Sequence, residues 1–213
     1  MTKDEAIAIT GGLTQTSKMP CKSFSTPTLA CVTGYKLAQV PGTVCSTCYA
    51  QKGFYRAYAN NIEPAQHARL DALLNDPLWE TAMVKLIGND PYFRWFDSGD
   101  VPNHDALCKI MRVCMRTPAT QHWLVTREYA MVRKLLRFIT IPPNVTVRLS
   151  AAYPDMPLRL ERALRQPGIT VANVHLAKPP VGHRCPAPTQ GGKCGPCRAC
   201  WDRDVPAVSY HQH

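Results

Sequence analysis

Four cysteines fall within sixteen residues in the stretch Cys185-Pro-Ala-Pro-Thr-Gln-Gly-Gly-Lys-Cys194-Gly-Pro-Cys197-Arg-Ala-Cys200. The glycines and prolines between them favour neither a helix nor a central strand, so a bound metal is the natural source of order. Thiolates select zinc, copper(I) or iron–sulfur clusters, and consecutive C-x2-C spacing is typical of ferredoxin-type clusters. We therefore predict that all four cysteines bind an iron–sulfur cluster. Zinc is the alternative ion, and disulfides or four unrelated buried thiols are the remaining explanation.

A second group of cysteines, Cys31, Cys45 and Cys48, lies in a long loop that follows a predicted first strand at 23–29. Long loops without secondary structure of their own are often functional. We predict that these three cysteines are also metal ligands. Cys21 precedes the strand and is either a fourth ligand or a bystander.

The composition predicts one cytoplasmic domain. The chain has 213 residues, 45% of them hydrophobic, and begins with neither a signal peptide nor an apolar run that could span a membrane. Ten cysteines in a reducing compartment favour metal binding over disulfides. We expect a loosely ordered lead-in at 1–20, a barrel-like core at 21–180 and a metal-binding tail at 181–213.

The net charge of +10 agrees with nucleic-acid binding. Metal-bound thiolates would neutralise part of this charge, however, and the chain has no run of Lys and Arg. Nucleic acid therefore enters as an alternative partner, beside a host protein or a small anionic ligand, and no membrane partner is expected.

Buried strand patterns and helical patterns alternate along the middle of the chain. Strands are predicted at 92–97, 122–126, 145–150 and 170–176, with helices at 103–116, 128–140 and 157–166, and earlier helices starting at Glu63 and Pro77. Such alternation predicts an α/β fold with a parallel sheet and helices outside. A full eight-unit barrel needs about 250 residues, so we expect a reduced or partial (β/α) barrel with mainly parallel strands and a cysteine-rich C-terminal segment.

Polar residues follow several of these strands. Parallel α/β folds carry their chemistry in the loops at the carboxyl ends of the strands. The candidates for catalysis are Asp97, Ser98, Asp100, Arg127 and Glu128.

Two arginines, Arg94 and Arg148, lie inside otherwise apolar strands, where an unpaired charge is costly. They are either neutralised by Asp97, Asp100 or Glu128, or they hold a buried anionic ligand. The candidates for binding such a ligand are Arg94, Ser98, Gly99, Asp100, Arg148 and Ser150. We also expect both cysteine groups at one mouth of the barrel, sharing one cluster or holding two.

The chain resembles the phage gene product 88 family from about residue 19 to its C-terminus. The motifs that carry the resemblance are Met19-Pro20, Ser23-Phe24, Cys31, Cys45-x2-Cys48-Tyr49-Ala50-x-Lys52-Gly53, Arg94-Trp95-x-Asp97-Ser98-Gly99-Asp100, Thr126-Arg127-Glu128, Arg148-x-Ser150 and Cys194-Gly-x-Cys197-Arg-Ala-Cys200-Trp201. The resemblance implies a phage or prophage origin, and hence the cytoplasm of a host bacterium, together with a cysteine-bound metal.

The chain also has a looser similarity to radical S-adenosylmethionine enzymes, which are partial (β/α) barrels with three cluster cysteines after the first strand. Cys31, Cys45 and Cys48 take that place, although thirteen residues separate the first two. Ser98-Gly99-Asp100 follows the second strand, where those enzymes hold S-adenosylmethionine. The similarity implies a 4Fe–4S protein that is a redox or radical enzyme, or a relative without catalysis. The alternative is a zinc-stabilised module that binds nucleic acid or a host protein.

Overall fold

One sheet of eight strands organises the chain, as seen in a computed structural model that describes residues 1–212 and, of Phe54, the backbone alone. The strands are β1 (Thr14–Gln15), β2 (Lys22–Phe24), β3 (Tyr92–Trp95), β4 (Gln121–Thr126), β5 (Val145–Ser150), β6 (Ile169–His175), β7 (His183–Arg184) and β8 (Ala207–His211). Their order across the sheet is β1-β2-β3-β4-β5-β6-β8-β7. Only β1 pairs antiparallel among these strands. The prediction of four adjacent parallel strands is confirmed.

The helices of the described chain are α1 (Lys3–Thr10), α2 (Val32–Ala38), α3 (Gly53–Ala57), α4 (Ala59–Asn75), α5 (Trp79–Ile87), α6 (His104–Arg116) and α7 (Tyr129–Leu135). The predicted helix after β3 is confirmed as α6, and Asn103 caps it by accepting a hydrogen bond from the Ala106 N–H at 2.8 Å. The helix predicted after β4 is confirmed as the shorter α7. Through residue 212, no helix has the length and apolar composition that crossing a bilayer requires.

The helix predicted at 157–166 is wrong. The structure has only a 3-10 turn there, at Arg162–Leu164. Leu158 and Leu160 both pack against the core at a spacing of two, which is the period of an extended chain. The Leu158 N–H donates to the side-chain oxygen of Asn173 at 2.9 Å, which fixes this irregular segment on β6.

The beginning of the chain also differs from the prediction. The lead-in at 1–20, expected to be loosely ordered, contains α1, which packs against α5. A capping box between Thr2 and Glu5 starts this helix, a signal that the sequence carries as Thr-x-x-Glu. The tail expected at 181–213 includes His213, which lies outside the described residues.

Two predicted boundaries near prolines differ in the structure. The first strand ends at Phe24, and Pro27 precedes a 3-10 turn at Thr28–Ala30 instead of continuing the strand. The helix expected from Glu63 begins four residues earlier, at Ala59, so that Pro64 lies inside α4. Tertiary packing therefore overrides the usual first-turn position of proline here.

The two faces of the sheet have different coverings. One face carries Phe24, Phe93, Leu124 and Val147 and forms the main apolar core. Helices α5, α6 and α7 supply the other side of this core.

The opposite face carries Arg94, Trp123, Arg148 and Tyr210, and we call it the concave face. The Trp123 and Tyr210 rings stack there at 6.4 Å between centroids, although β4 and β8 are three strands apart and a flat sheet would separate them by about 14 Å. The sheet therefore curves as a partial barrel does, but within residues 1–212 the edge strands β1 and β7 do not pair with each other.

The core contains a histidine whose burial predicts a pH dependence of stability. His122 is fully buried, and its Nε2 lies 2.8 Å from the Thr117 hydroxyl. Burial lowers the pKa of His122 from its usual 6.5 to about 4. Between these values the unfolded chain binds a proton that the folded protein does not, so stability falls as the pH drops from 6.5 to 4.

We expect wild-type protein to lose roughly 3 kcal/mol of stability over this interval relative to His122→Gln. Urea denaturation at several pH values measures the difference, and His67→Gln is the control because His67 is exposed. Identical pH profiles for wild type and His122→Gln would contradict the assignment.

Candidate functional site

The C-terminal cysteine group consists of Cys185, Cys194, Cys197 and Cys200. All four thiols are free, and all four residues line one small cavity together with Trp201 and Val208. The structure therefore places the four cysteines around one cavity, and that they bind a metal stays a prediction. His183 and Tyr210, which the sequence did not single out, are close to two of the thiols: Cys197 Sγ lies 3.4 Å from His183 Nε2, and Cys200 Sγ lies 3.1 Å from Tyr210 Oη.

Arg148 holds the segment that carries these thiols. Its side chain is fully buried, and its guanidinium donates to the backbone carbonyls of Val171, Ala199, Cys200, Asp202 and Val205. Arginine has five N–H donors, so these five bonds use them all. The structure thus gives Arg148 neither of the two roles predicted for it: it forms no ion pair within residues 1–212, and no donor is left over for an anionic ligand.

The C-terminal group lies toward the amino ends of the strands. The indole N–H of Trp201 donates to the carbonyl of Phe93, near the start of β3, at 2.9 Å. The Thr146 hydroxyl, near the start of β5, donates to the carbonyl of Trp201 at 2.7 Å. The Cys194 N–H donates to the carbonyl of Lys18, which precedes β2, at 2.9 Å.

Cys21 belongs near this group. It is buried in the same cluster of side chains as Cys200, Trp201 and Trp123. Burial raises the pKa of the Cys21 thiol to about 12, and Cys194 is close enough to add to that rise. The structure therefore places Cys21 away from the N-terminal cysteines, to which it could have been the fourth ligand.

The N-terminal cysteine group consists of Cys31, Cys45 and Cys48. Gly34 packs against the first two, since a Cβ at Gly34 would lie 3.0 Å from the Cβ of Cys31 and 3.7 Å from each of the Sγ atoms of Cys31 and Cys45. Burial, with Asp100 and the neighbouring thiols, raises the pKa of Cys31. Burial also raises the pKa of Cys45, and the nearby Arg127 opposes the rise.

This group is fastened over the carboxyl ends of the strands. The Glu128 carboxylate, after β4, accepts hydrogen bonds from the N–H and the hydroxyl of Thr33 at 2.7 and 2.8 Å, which fixes α2 directly after Cys31. The Val44 N–H donates to the carbonyl of Ala152, after β5, at 2.9 Å. The Tyr49 hydroxyl donates to the carbonyl of Asp97, after β3.

The structure fastens the two cysteine groups differently: the N-terminal group lies over the carboxyl ends of the strands, and the C-terminal segment has anchors toward their amino ends. The end of β8 reaches both groups, because Tyr210 contacts Cys200 Sγ and Gln212 Nε2 lies 3.0 Å from the Thr47 hydroxyl, between Cys45 and Cys48. That both groups share one mouth stays a prediction. The sequence analysis treated the last segment as a tail and missed β8. A strand parallel to β6 requires the chain to cross back to the amino edge of the sheet, and the cysteine-rich segment makes that crossing.

The chemistry of the thiols follows from their burial. Burial also raises the pKa of Cys200, to about 11 even with Arg148 nearby, so that without a bound metal this thiol stays protonated at neutral pH. Protonated thiols are weak nucleophiles, whereas a coordinated metal deprotonates them. The environment thus disfavours a nucleophilic cysteine and suits thiols that become charged on binding a metal.

Arg94 is a predicted ligand-binding residue with a hydrogen-bond donor that is still available to a ligand. Its guanidinium carbon lies 4.4 Å from the centre of the Trp123 ring, and one terminal nitrogen lies 3.5 Å from the Tyr49 hydroxyl. Its buried Nε has no hydrogen-bond partner among the described residues. Arg94 therefore lies on the concave face between the two cysteine groups.

Ser98, Asp100 and Ser150, which are also predicted to bind a ligand, make hydrogen bonds that fix nearby loops. Ser98 donates to the carbonyl of Thr26 at 3.3 Å, and Ser150 accepts from the Tyr129 hydroxyl through its carbonyl. The Asp100 carboxylate accepts from the N–H groups of Val101 and Arg127 at 2.7 and 2.9 Å. These contacts shape the loops at the carboxyl edge.

Ser98 does not share a strand face with Arg94, although both are predicted to bind the same ligand. The strand ends at Trp95, because Phe96 adopts a positive φ of 58° and interrupts the alternation of side chains. Such backbone strain in a bulky residue is held by its surroundings and occurs often beside functional sites.

The predicted catalytic residues also differ in what they contact. Asp97 is buried and accepts from the Tyr55 hydroxyl at 3.0 Å, and burial raises the pKa of its carboxyl group. Glu128 and Asp100 fix loops, as described above. Arg127 and Asp100 both lie near Cys31 and Cys45: beside the effect of burial, Asp100 raises the pKa of the two thiols and Arg127 lowers it.

Gly99 predicts a large local effect. Its φ is 80°, and a Cβ there would lie 2.6 Å from the carbonyl oxygen of Thr26. We expect Gly99→Ala to destabilise the protein by about 3 kcal/mol or more, since strain at positive φ and a backbone clash add. Gly42→Ala is the matched control: its φ is 81° with nothing within 4 Å, so only the roughly 1 kcal/mol cost of positive φ applies. Equal losses in thermal denaturation would contradict the clash.

Within residues 1–212, no three His, Cys, Asp or Glu side chains are arranged so that they could hold a single metal ion. The thiols of the C-terminal group surround a cavity without meeting at one point. The thiols of the N-terminal group do not meet at one point either.

Comparison with known proteins gave one match. The family described as gene product 88 matches residues 2–203 of the chain. No curated protein and no solved structure matches the chain.

Proposed function

The chain belongs to the gene product 88 family, and we propose that it is an iron–sulfur protein whose C-terminal cysteine group holds a 4Fe–4S cluster. The observation that carries the proposal is the convergence of four free thiols on one cavity. Four cysteine thiolates are the usual ligand set of such clusters. When bound, the cluster would supply one-electron transfer or structural stability.

The donor set fits a cluster better than a single zinc ion. Zinc holds four sulfurs each at about 2.3 Å from one point, whereas a 4Fe–4S cluster binds each thiolate at a different iron. The consecutive C-x2-C spacing of Cys194, Cys197 and Cys200 is the ferredoxin-type pattern, and this favours the cluster.

The surrounding residues also suit a buried anionic centre. Arg148 fixes the backbone on both sides of Cys200, and its charge lowers the pKa of that thiol against the effect of burial. Tyr210 contacts the same sulfur. Hydrogen bonds and positive charge around thiolate ligands are the means by which proteins tune iron–sulfur centres.

We extend the proposal to the N-terminal group as a second, separate metal site with Cys31, Cys45 and Cys48 as ligands. Three cysteines would leave one iron of a 4Fe–4S cluster without a protein ligand. S-adenosylmethionine at such a position stays a prediction from the sequence. S-adenosylmethionine would need binding residues on the concave face. All N–H donors of Arg148 are already bonded to backbone carbonyls there, whereas the buried Nε of Arg94 has no partner among the described residues.

The experiment is to purify and reconstitute the full chain without oxygen and to measure iron, acid-labile sulfide and zinc per chain. We expect a brown protein with broad visible absorption and about four irons for each occupied site. A colourless protein that holds zinc and no sulfide would overturn the proposal and favour the zinc-stabilised binding module.

A further inference from the structure

Two histidines lie side by side at the carboxyl ends of β6 and β8. His175 and His211 are register partners in this parallel pair, so their side chains share one face of the sheet, opposite to the face that carries Tyr210. Their ring centres are 5.4 Å apart, and the ring planes are nearly perpendicular, at 88°. The Gln212 N–H donates to the carbonyl of His175 at 3.0 Å, which holds the two strand ends together. We call His175 and His211 the histidine pair.

His175 has a ring nitrogen whose hydrogen-bonding capacity is unused. The residue is only 6% exposed, and its Nε2 has no hydrogen-bond partner within residues 1–212. Buried polar atoms of side chains nearly always have a partner, because leaving one without a partner costs free energy. A buried imidazole nitrogen that is unpaired beside a second imidazole therefore indicates a missing ligand.

The other nitrogen of each ring is already held. His211 Nδ1 lies 2.7 Å from the backbone carbonyl oxygen of Gln212, which can only accept, so Nδ1 carries the proton and the neutral ring has its lone pair on Nε2. His175 Nδ1 lies 2.8 Å from the Ser209 hydroxyl, which accepts from it in the same tautomer. A partner on one nitrogen that leaves the lone pair of the other to an ion is the usual arrangement of metal-binding histidines.

We propose that the histidine pair binds a divalent transition-metal ion, with zinc as its representative, through the Nε2 atoms of His175 and His211. Imidazole nitrogen is a ligand that suits such ions. A zinc ion about 2.1 Å from each nitrogen would lie about 3.2 Å from each ring centre. Ring centres 5.4 Å apart then correspond to an angle of about 115° at the ion, close to tetrahedral. Water would take the remaining positions, since within residues 1–212 no third side chain completes a metal-binding group.

The charges around the histidine pair are compatible with a bound cation. Burial, His211 and Arg184 lower the pKa of His175 below its usual 6.5, which keeps this imidazole in the neutral, metal-binding form at neutral pH. The Asp155 carboxylate acts in the opposite direction. It accepts from the backbone N–H groups of residues 176–178 at 2.8 to 3.1 Å, so its negative charge lies beside the end of β6 and offsets that of Arg184.

An ion at this position would join the last strand of the sheet to β6. The end of β8 contacts both cysteine groups, through Tyr210 and Gln212, so the ion would stabilise the strand that connects them. The proposal goes beyond the iron–sulfur function and does not rest on it, because both ligands are nitrogens and no thiol takes part.

The test is calorimetric titration of the full chain with Zn²⁺ without oxygen. We expect the wild type to bind one zinc ion that His175→Gln and His211→Gln bind more than about tenfold more weakly, since loss of an outer-shell partner alone costs about that factor. Ser209→Ala, which removes such a partner, should weaken the site about tenfold. Nitrogen-detected NMR of the imidazoles should show the Nε2 signals of His175 and His211 moving as zinc is added, which zinc on cysteines would not cause.

Two other histidines give the controls. His67→Gln removes an exposed histidine of α4 and should leave zinc binding unchanged, and so should His213→Gln, although His213 lies outside the described residues. Circular dichroism verifies folding, and His211 is exposed, so His211→Gln tests the site even if His175→Gln unfolds.

Unchanged zinc affinity in His211→Gln, or Nε2 signals that zinc does not move, would overturn the proposal. Loss of the ion in His213→Gln but not in His175→Gln would overturn it too and would identify a chelating C-terminus. If the cysteines hold zinc instead of a cluster, Cys185→Ser removes that zinc and leaves the ion of the histidine pair. Failure of the iron–sulfur function is thereby distinguished from failure of this site.

Discussion

Replacing any one of Cys185, Cys194, Cys197 or Cys200 with serine is expected to lower the bound iron by at least one cluster's content and to destabilise the protein. In sites of this kind the free energy of metal binding is also folding free energy, so the loss should reach several kcal/mol. The melting temperature of the reconstituted protein and its iron and sulfide content are the two measurements.

The matched control for this series is Cys108→Ser, because Cys108 is partly buried on α6, outside both cysteine groups. It should keep its iron and nearly all of its stability. If all four single variants keep the wild-type iron content and melting temperature, the C-terminal group does not bind metal. Losses confined to variants of Cys31, Cys45 and Cys48 would place the cluster at the N-terminal group instead.

Arg148→Met is expected to be among the most destabilising substitutions in the chain. It removes the partners of five backbone carbonyls, four of which lie between Ala199 and Val205. Breaking a buried charged network in this way costs about 3–5 kcal/mol. Arg148→Lys keeps the charge but has only three donors, so its loss should be smaller, although still clear.

Urea denaturation gives the loss of stability, and hydrogen exchange shows where it arises. We expect faster exchange of the amides at 199–205 in both Arg148 variants. Exchange in helices α5, α6 and α7, on the other face of the sheet, should be unchanged in Arg148→Lys. Arg133→Met is the control, since Arg133 is exposed and pairs with Glu161 on the surface. A loss below about 1 kcal/mol in Arg148→Met would contradict the role assigned to this residue.

The regular part of the fold could be predicted because its signals are local. The aromatic run from Tyr92 and the apolar run from Val145 have the composition of strands buried on both faces. The stripe on α6 has helical period and its own cap at Asn103. These signals fixed the order of strands β3 to β6 and their parallel direction. The helix predicted at 157–166 is wrong because the apolar side chains of this irregular segment are placed by contacts with the core, and such contacts leave no periodic pattern in the sequence.

The sequence by itself determined which residues carry the chemistry: soft thiol ligands in two groups, with polar residues at the ends of parallel strands. Only the tertiary structure decided where these residues lie. The crossing from β6 to β8 takes the C-terminal cysteine segment back toward the amino ends of the strands, whereas the N-terminal group is fastened over the carboxyl ends by contacts after β3, β4 and β5. The register of β5 turned Arg148 from a candidate ligand-binding residue into the anchor of the C-terminal segment. Both outcomes depend on pairing between distant parts of the chain, which local sequence patterns do not record.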